Sequence, residues 1–144
     1  MVRKDYVAYP RSNGRTDQTL ANPEDDGAYI QSQYPTNFVQ VVSFEGISLE
    51  EQLSHITQSN VFASVHGAGN IHTLFLPDHA TFVEYFPKGY ERRRRFRYLA
   101  ECLNVTYVAK NAWIEDRFDN DKKVSLRLRP ETATEIDNEF LNYF

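Results

Sequence analysis

Val61-Phe62-Ala63-Ser64-Val65-His66-Gly67-Ala68-Gly69-Asn70-Ile71-His72-Thr73-Leu74-Phe75-Leu76-Pro77 reads as a buried strand, a glycine-rich turn and a short helix. Residues 61–65 form a small, apolar, β-branched run of the kind that fills a central parallel strand. His66 stands where that strand ends. Gly67 and Gly69 permit positive φ and leave the backbone bare. From Asn70 onward Ile71, Leu74 and Phe75 recur at helical spacing, and Pro77 ends the run. A helix start preceded by glycines offers N–H groups and a positive dipole end to an anion. The local reading is a phosphate or diphosphate site over residues 66–70. A tight strand-to-helix turn without a ligand fits the same residues equally well.

Working outward, residues 5–9 form a strand stopped by Pro10, and residues 11–16 a polar loop with an Asn13-Gly14 turn signal. Residues 17–27 are polar and irregular, and a short helix runs from Pro23 or Glu24 to Tyr34. Residues 37–43 form the second strand. Ser48 and Glu51 make a capping box, and Leu49, Leu53 and Ile56 continue it as a helix over residues 49–59. Beyond the central stretch, residues 81–86 are a strand closed by Pro87-Lys88-Gly89. Residues 90–103 are a helix with Phe96, Leu99 and Leu103 inward, and residues 105–109 are a strand. Residues 111–129 are mixed and charged and read as a loop. Pro130 opens a closing helix with Ile136, Phe140 and Phe144 on one stripe.

Strands alternating with helices predict an α/β protein. It is read as a single Rossmann-like three-layer domain over residues 1–144, with a mainly parallel sheet. Ligands of such sheets bind at the carboxyl ends of the strands. That edge collects residues 11–15, 44–46, 66–70 and 86–90.

Composition narrows the classes. The 144 residues are 41% hydrophobic and 14% aromatic, enough for a packed core. Sixteen Lys and Arg against 20 Asp and Glu give a net charge of −4, which argues against broad nucleic-acid binding. The single cysteine, Cys102, excludes an internal disulfide and a cysteine zinc cluster, and is read as a small core residue on a helix. No apolar run has the length of a membrane span, and the first residues do not open a signal peptide.

The chemistry-bearing residues each carry two readings. His66 either donates to a diphosphate oxygen or bonds a neighbouring backbone group. His72 is read as structural. His66, His72 and His79 lack the spacing of a metal site. Arg11 and Arg15 flank a turn at a strand's carboxyl end, where arginine suits bidentate phosphate contact, or else they are solvated loop charges. Glu84 sits inside a strand and needs a partner: a ribose diol, or an internal ion pair such as Arg15. The run Arg92-Arg93-Arg94-Arg95 with Arg97 is a solvated helix face or a docking site for a polyanion or partner. Asn104-Val105-Thr106 is an N-glycosylation sequon that begins a predicted buried strand, and chance accounts for it.

Three pieces in order also carry a resemblance. Leu49-Glu50-Glu51-Gln52-Leu53, the stretch from Val61 to Pro77, and Phe82-Val83-Glu84-Tyr85-Phe86-Pro87 resemble the carboxy-terminal half of glycosyltransferase family 61. Val7-Ala8-Tyr9-Pro10-Arg11 and Arg15 are similar to that half's arginine-bearing strand and loop. The resemblance covers roughly residues 5–110. It implies part of a GT-B enzyme of two Rossmann-like domains, holding a nucleotide-sugar donor, commonly UDP-linked, with no cofactor and no obligatory metal, and transferring the sugar with inversion. By that resemblance His66, Gly67, Ala68, Gly69 and Asn70 face the donor diphosphate. Arg11 and Arg15 offset its charge, and Glu84 lies near the nucleoside or stabilises the site. The catalytic base is not identified in this chain, and Asn70 stands where the family usually has leucine. A second domain or a partner chain is implied, as is an endoplasmic reticulum or Golgi lumen setting. The rival reading is a non-catalytic structural subunit of a larger assembly that keeps the same fold.

Overall fold

The structure is a computed structural model and describes residues 4–9, 18–20, 24, 27–28, 31–32, 35–36, 38–86, 93–111, 113–117 and 124–127. In chain order the strands are β1 (Lys4–Tyr9), β2 (Gln18–Leu20), β3 (Phe38–Val41), β4 (Val61–Val65), β5 (Thr81–Phe86), β6 (Thr106–Asn111), β7 (Trp113–Arg117) and β8 (Val124–Arg127). The helices are α1 (Leu49–Ile56), a 3-10 helix (Ala68–Phe75) and α2 (Arg95–Cys102).

Five strands form one sheet in the order β3-β1-β4-β5-β6. Every neighbouring pair in it is parallel. Counted within the sheet alone, the order is 2-1-3-4-5, the flavodoxin-like doubly wound arrangement. The direction of winding reverses between β1 and β4, where Tyr9 pairs with Ser64. The crevice beyond the carboxyl ends of those two strands is where this architecture places ligands.

From β4 the chain steps through β5 to β6 in one direction, so right-handed crossovers put their helices on one face. The 3-10 helix accordingly packs between α1 and α2. The first crossover steps the other way, toward the opposite face, and its residues Glu24, Gly27, Ala28, Gln31 and Ser32 are helical. That crossover lies close on β3: a Cβ at Gly27 would come within 2.5 Å of Val41 Cγ2, and the Gln31 side chain accepts from the Val39 N–H at 3.0 Å.

Every side chain of β4 and β5 is buried. On the face toward the helices, Phe62 stacks on Phe82 with ring centroids 5.4 Å apart. They join Val42, Phe44, Ile56, Ala100 and Val105 in one apolar cluster. The next positions on the same face are Ser64 and Glu84, which pair in register. Within two residues the sheet face therefore passes from hydrocarbon to polar groups, toward the carboxyl edge.

The capping box closes as expected. The Ser48 N–H donates to Glu51 Oε2 at 3.0 Å, and the Glu51 N–H donates to Ser48 Oγ at 3.2 Å. α1 stops at Ile56 rather than at residue 59. The turn at Thr57 and Ser59 carries the chain into β4, the Ser59 N–H donating to the Ile56 carbonyl at 3.0 Å.

Several expectations are corrected. Residues 111–129 are not a loop: β7 and β8 lie there and form a second sheet with β2, in the order β2-β8-β7, with β2 parallel and β7 antiparallel to β8. Residues 18–20, read as irregular, supply β2. The helix after Gly67 is 3-10 rather than α, its first bond running from the Asn70 N–H to the Gly67 carbonyl at 3.1 Å. Neither Gly67 nor Gly69 is in the left-handed region; Gly67 is extended, with φ 177°. Cys102 is exposed, because Ala100 takes the inward position on α2. Asn104 is exposed in a left-handed turn (φ 57°) before β6, and not in a buried strand. Arg11, Arg15, residues 87–92 and the helix expected from Pro130 lie outside the described residues.

Candidate functional site

β4 ends at the switch point and delivers His66 and Gly67 there. The His66 N–H donates to the Tyr85 carbonyl at 2.7 Å, which extends the sheet by one bond and anchors the start of the turn. Beneath the turn lies a closed polar network. Glu84 is wholly buried and accepts three hydrogen bonds. They come from His66 Nδ1 at 2.6 Å, Asn70 Nδ2 at 2.9 Å and the Tyr107 hydroxyl at 2.7 Å. Asn70, also wholly buried, accepts from the Ser64 hydroxyl at 2.6 Å. A buried carboxylate without such partners would be strongly destabilising, so this set of donors is what allows Glu84 to sit inside a sheet.

The partner expected for Glu84 was a ribose diol or Arg15. Among the described residues its partners are His66, Asn70 and Tyr107, and Arg15 lies outside them. The carboxylate binds the His66 ring at Nδ1 and so fixes its orientation and tautomer, with Nδ1 as donor. The ring stacks on Phe86 at 5.1 Å and meets the edge of Phe96 at 5.8 Å. Burial, and then the bond to Glu84, push the Tyr107 hydroxyl well above the usual tyrosine range. Tyr107 did not emerge from the sequence. Its register partner is Phe82, and its hydroxyl reaches Glu84 along the diagonal between adjacent strands.

The 3-10 helix is turned opposite to its apparent polarity. Asn70, His72 and Thr73 face inward. Ile71, Leu74 and Phe75, the apolar residues at helical spacing, are 48%, 43% and 44% exposed. The reason lies on the sheet: Ser64 and Glu84 occupy the face it covers and demand a hydrogen-bonding partner.

Above this network Gly67 is buried, Ala68 exposed and Gly69 half-buried. The N–H groups of Ala68 and Gly69 precede the first bond of the 3-10 helix and have no acceptor within it. The arrangement can meet an anion with backbone amides on a floor held rigid by the Glu84 network. His79 lies elsewhere, at 3.3 Å from Asn104 before β6. Arg93, Arg94 and Arg95 are exposed at the start of α2, and Arg97 pairs with Glu101 at 2.7 Å. Among the described residues, no helix is long and apolar enough to cross a membrane.

Fold and site together define an α/β protein of doubly wound type with a polar, glycine-capped switch point. Residues 1–83 match the sequence profile of the Glycosyltransferase 61 family, which is more than half of the chain. The chain belongs to that family. It is 26% identical over 113 residues, 76% of its length, to a beta-1,2-xylosyltransferase of Oryza sativa subsp. japonica. It is 37% identical over 76 residues, 51% of its length, to an EGF domain-specific O-linked N-acetylglucosamine transferase of Xenopus laevis. The chain spans 21% of the first relative and 14% of the second.

Proposed function

We propose that this chain is the donor-holding part of an inverting family-61 glycosyltransferase of GT-B type, and that its ligand is a nucleotide sugar, UDP-linked in the first instance. The observation that carries the reading is the Ser64–Asn70–Glu84–His66–Tyr107 network. It stiffens the floor of the turn at the point where the sheet reverses its winding.

The diphosphate lies over Gly67, Ala68 and Gly69. The N–H groups of Ala68 and Gly69 point at its oxygens, His66 addresses it from Nε2, and Arg11 and Arg15 offset its charge. As an acceptor oxygen attacks the anomeric carbon, the bond to the diphosphate breaks on the opposite face. Negative charge then grows on the leaving oxygen, where preoriented donors stabilise it. Glu84 holds the His66 ring and the Asn70 amide in place. A second domain or a partner chain brings the acceptor and the base that takes its proton. No metal or cofactor has a part in this scheme.

Calorimetric titration with UDP and UDP-sugars tests it, on the native chain and on Arg15→Ala and His66→Ala. Saturable binding that weakens in both variants supports the donor site. Absence of binding at millimolar ligand, or indifference to both changes, supports a structural subunit instead. The outward apolar residues Ile71, Leu74 and Phe75 favour that second reading.

A further inference from the structure

His72 makes two contacts that together specify its charge. Its Nδ1 lies 2.7 Å from the Gly69 carbonyl oxygen, and its Nε2 lies 2.8 Å from Gln52 Oε1. A carbonyl oxygen only accepts. The Gln52 amide has no freedom to turn over, because its nitrogen donates to the Phe44 carbonyl at 3.2 Å and the Ile47 carbonyl at 3.1 Å. Turned over, it would lose both bonds and set its oxygen against two others. Each ring nitrogen of His72 therefore faces an acceptor and needs a proton of its own. The Phe44 ring, with its centroid 4.9 Å away and tilted at 58°, lies within the range in which an aromatic attracts a cation.

We propose that His72 is a fixed imidazolium, clamped between α1 and the glycine-rich turn. It is a positioning residue that aims the Ala68–Gly69 backbone and adds positive charge beneath a bound diphosphate. The second half of that statement rests on the donor-site reading; the charge itself does not. Ionisable side chains on the packed elements are Glu50, Glu51 and His55 on α1, Arg95, Arg97, Tyr98, Glu101 and Cys102 on α2, and His66 with Glu84 at the turn. Among the described residues none of them hydrogen-bonds His72, whose ring nitrogens meet only the Gly69 and Gln52 oxygens.

Nitrogen-15 and proton NMR of the histidine rings, near neutral pH and without ligand, is the test. Both His72 nitrogens are expected to be protonated, with two slowly exchanging ring N–H signals. One unprotonated nitrogen overturns the proposal. His72→Asn keeps a neutral donor toward the Gly69 carbonyl, in the place of Nδ1, and removes the charge. In that variant the amide signals of Gly67, Ala68 and Gly69 should move, and unmoved signals also overturn it. UDP affinity should fall about tenfold in His72→Asn; equal affinity refutes the effect on the anion. A wild-type chain that fails to bind UDP defeats the donor-site reading, while the ring spectrum still decides the charge.

Discussion

Replacing Glu84 separates a network held by charge from one held by shape. Glu84→Ala strands three donors at once: the imidazole of His66, the amide of Asn70 and the hydroxyl of Tyr107. Each buried donor left unpaired costs about 1–3 kcal/mol, and water entering the vacated space recovers part of that, which leaves a net loss of about 4 kcal/mol. Glu84→Gln behaves differently. With its oxygen at the Oε1 position it still accepts from His66 and Asn70. Its nitrogen then faces Tyr107, whose hydroxyl turns to accept. Three bonds survive without charge assistance, and the desolvation of a buried carboxylate is relieved, so the loss is about 1 kcal/mol. At roughly 3–4 °C per kcal/mol for a domain of this size, the melting temperature falls by about 12–16 °C for alanine and about 4 °C for glutamine. Urea denaturation followed by far-ultraviolet circular dichroism measures both, with the slope unchanged if only stability moves. An alanine variant within about 1 kcal/mol of wild type refutes the reasoning. So does a glutamine variant as damaged as the alanine one.

Three further outcomes follow from the same geometry. Asn70→Leu and Ser64→Ala should each lose about 1–2 kcal/mol, and the double variant less than their sum, because removing both partners of the 2.6 Å bond leaves no orphan; additive losses in urea melts count against the bond. Tyr107 ionises less readily folded than unfolded, so the unfolded chain gives up that proton first as pH rises past about 10. Stability should therefore fall above that pH, and fall less steeply in Tyr107→Phe; equal slopes in alkaline melts would contradict the Glu84 contact. Ser48→Ala should cost about 1 kcal/mol of stability at neutral pH. The backbone N–H of Ser48, and then its hydroxyl, hold the Glu51 carboxyl below its ordinary 4.5. That contribution is present above this range and lost as pH falls beneath it, so the gap between variant and wild type should narrow in acid.

What could be read ahead of the structure follows from how local each signal is. β4 was legible to the residue because all five of its side chains are buried and all but Ser64 are apolar. α1 was legible because Ser48 and Glu51 announce its start within four residues. β2 was not, since three residues pair with a strand more than a hundred positions away. β7 and β8 left a faint signal, the alternation of Val124 with Leu126 and the apolar pair Trp113 and Ile114 among charges. At the site, His66 and Glu84 were candidates by type and position. Their mutual bond and the part played by Tyr107 depend on strand register, which periodicity cannot supply. The basis for reading residues 66–70 as a candidate site also shifted: the left-handed backbone that Gly67 and Gly69 permit is not adopted, and the bare backbone rests on buried side chains instead.

The 3-10 helix shows which demand prevailed where local pattern and site disagreed. Turned over, it would bury Ile71, Leu74 and Phe75, each worth about 1.5–3 kcal/mol when fully removed from water. In that orientation Asn70 would leave Glu84 and Ser64, and His72 would leave Gln52 and the Gly69 carbonyl. Glu84 would then lose one of its three donors inside the sheet, and the stranded polar groups would cost as much as the apolar burial gains. The observed orientation leaves the apolar stripe half exposed and makes the Asn70 and His72 contacts beneath the turn, with the Thr73 hydroxyl buried without a hydrogen-bond partner. A stable strand-to-helix turn needs none of this, since an apolar residue at position 84 would permit an ordinary amphipathic helix. The carboxylate, the inverted helix and the glycine turn make sense together only if the placement of the turn, and not core stability, is what the arrangement maintains.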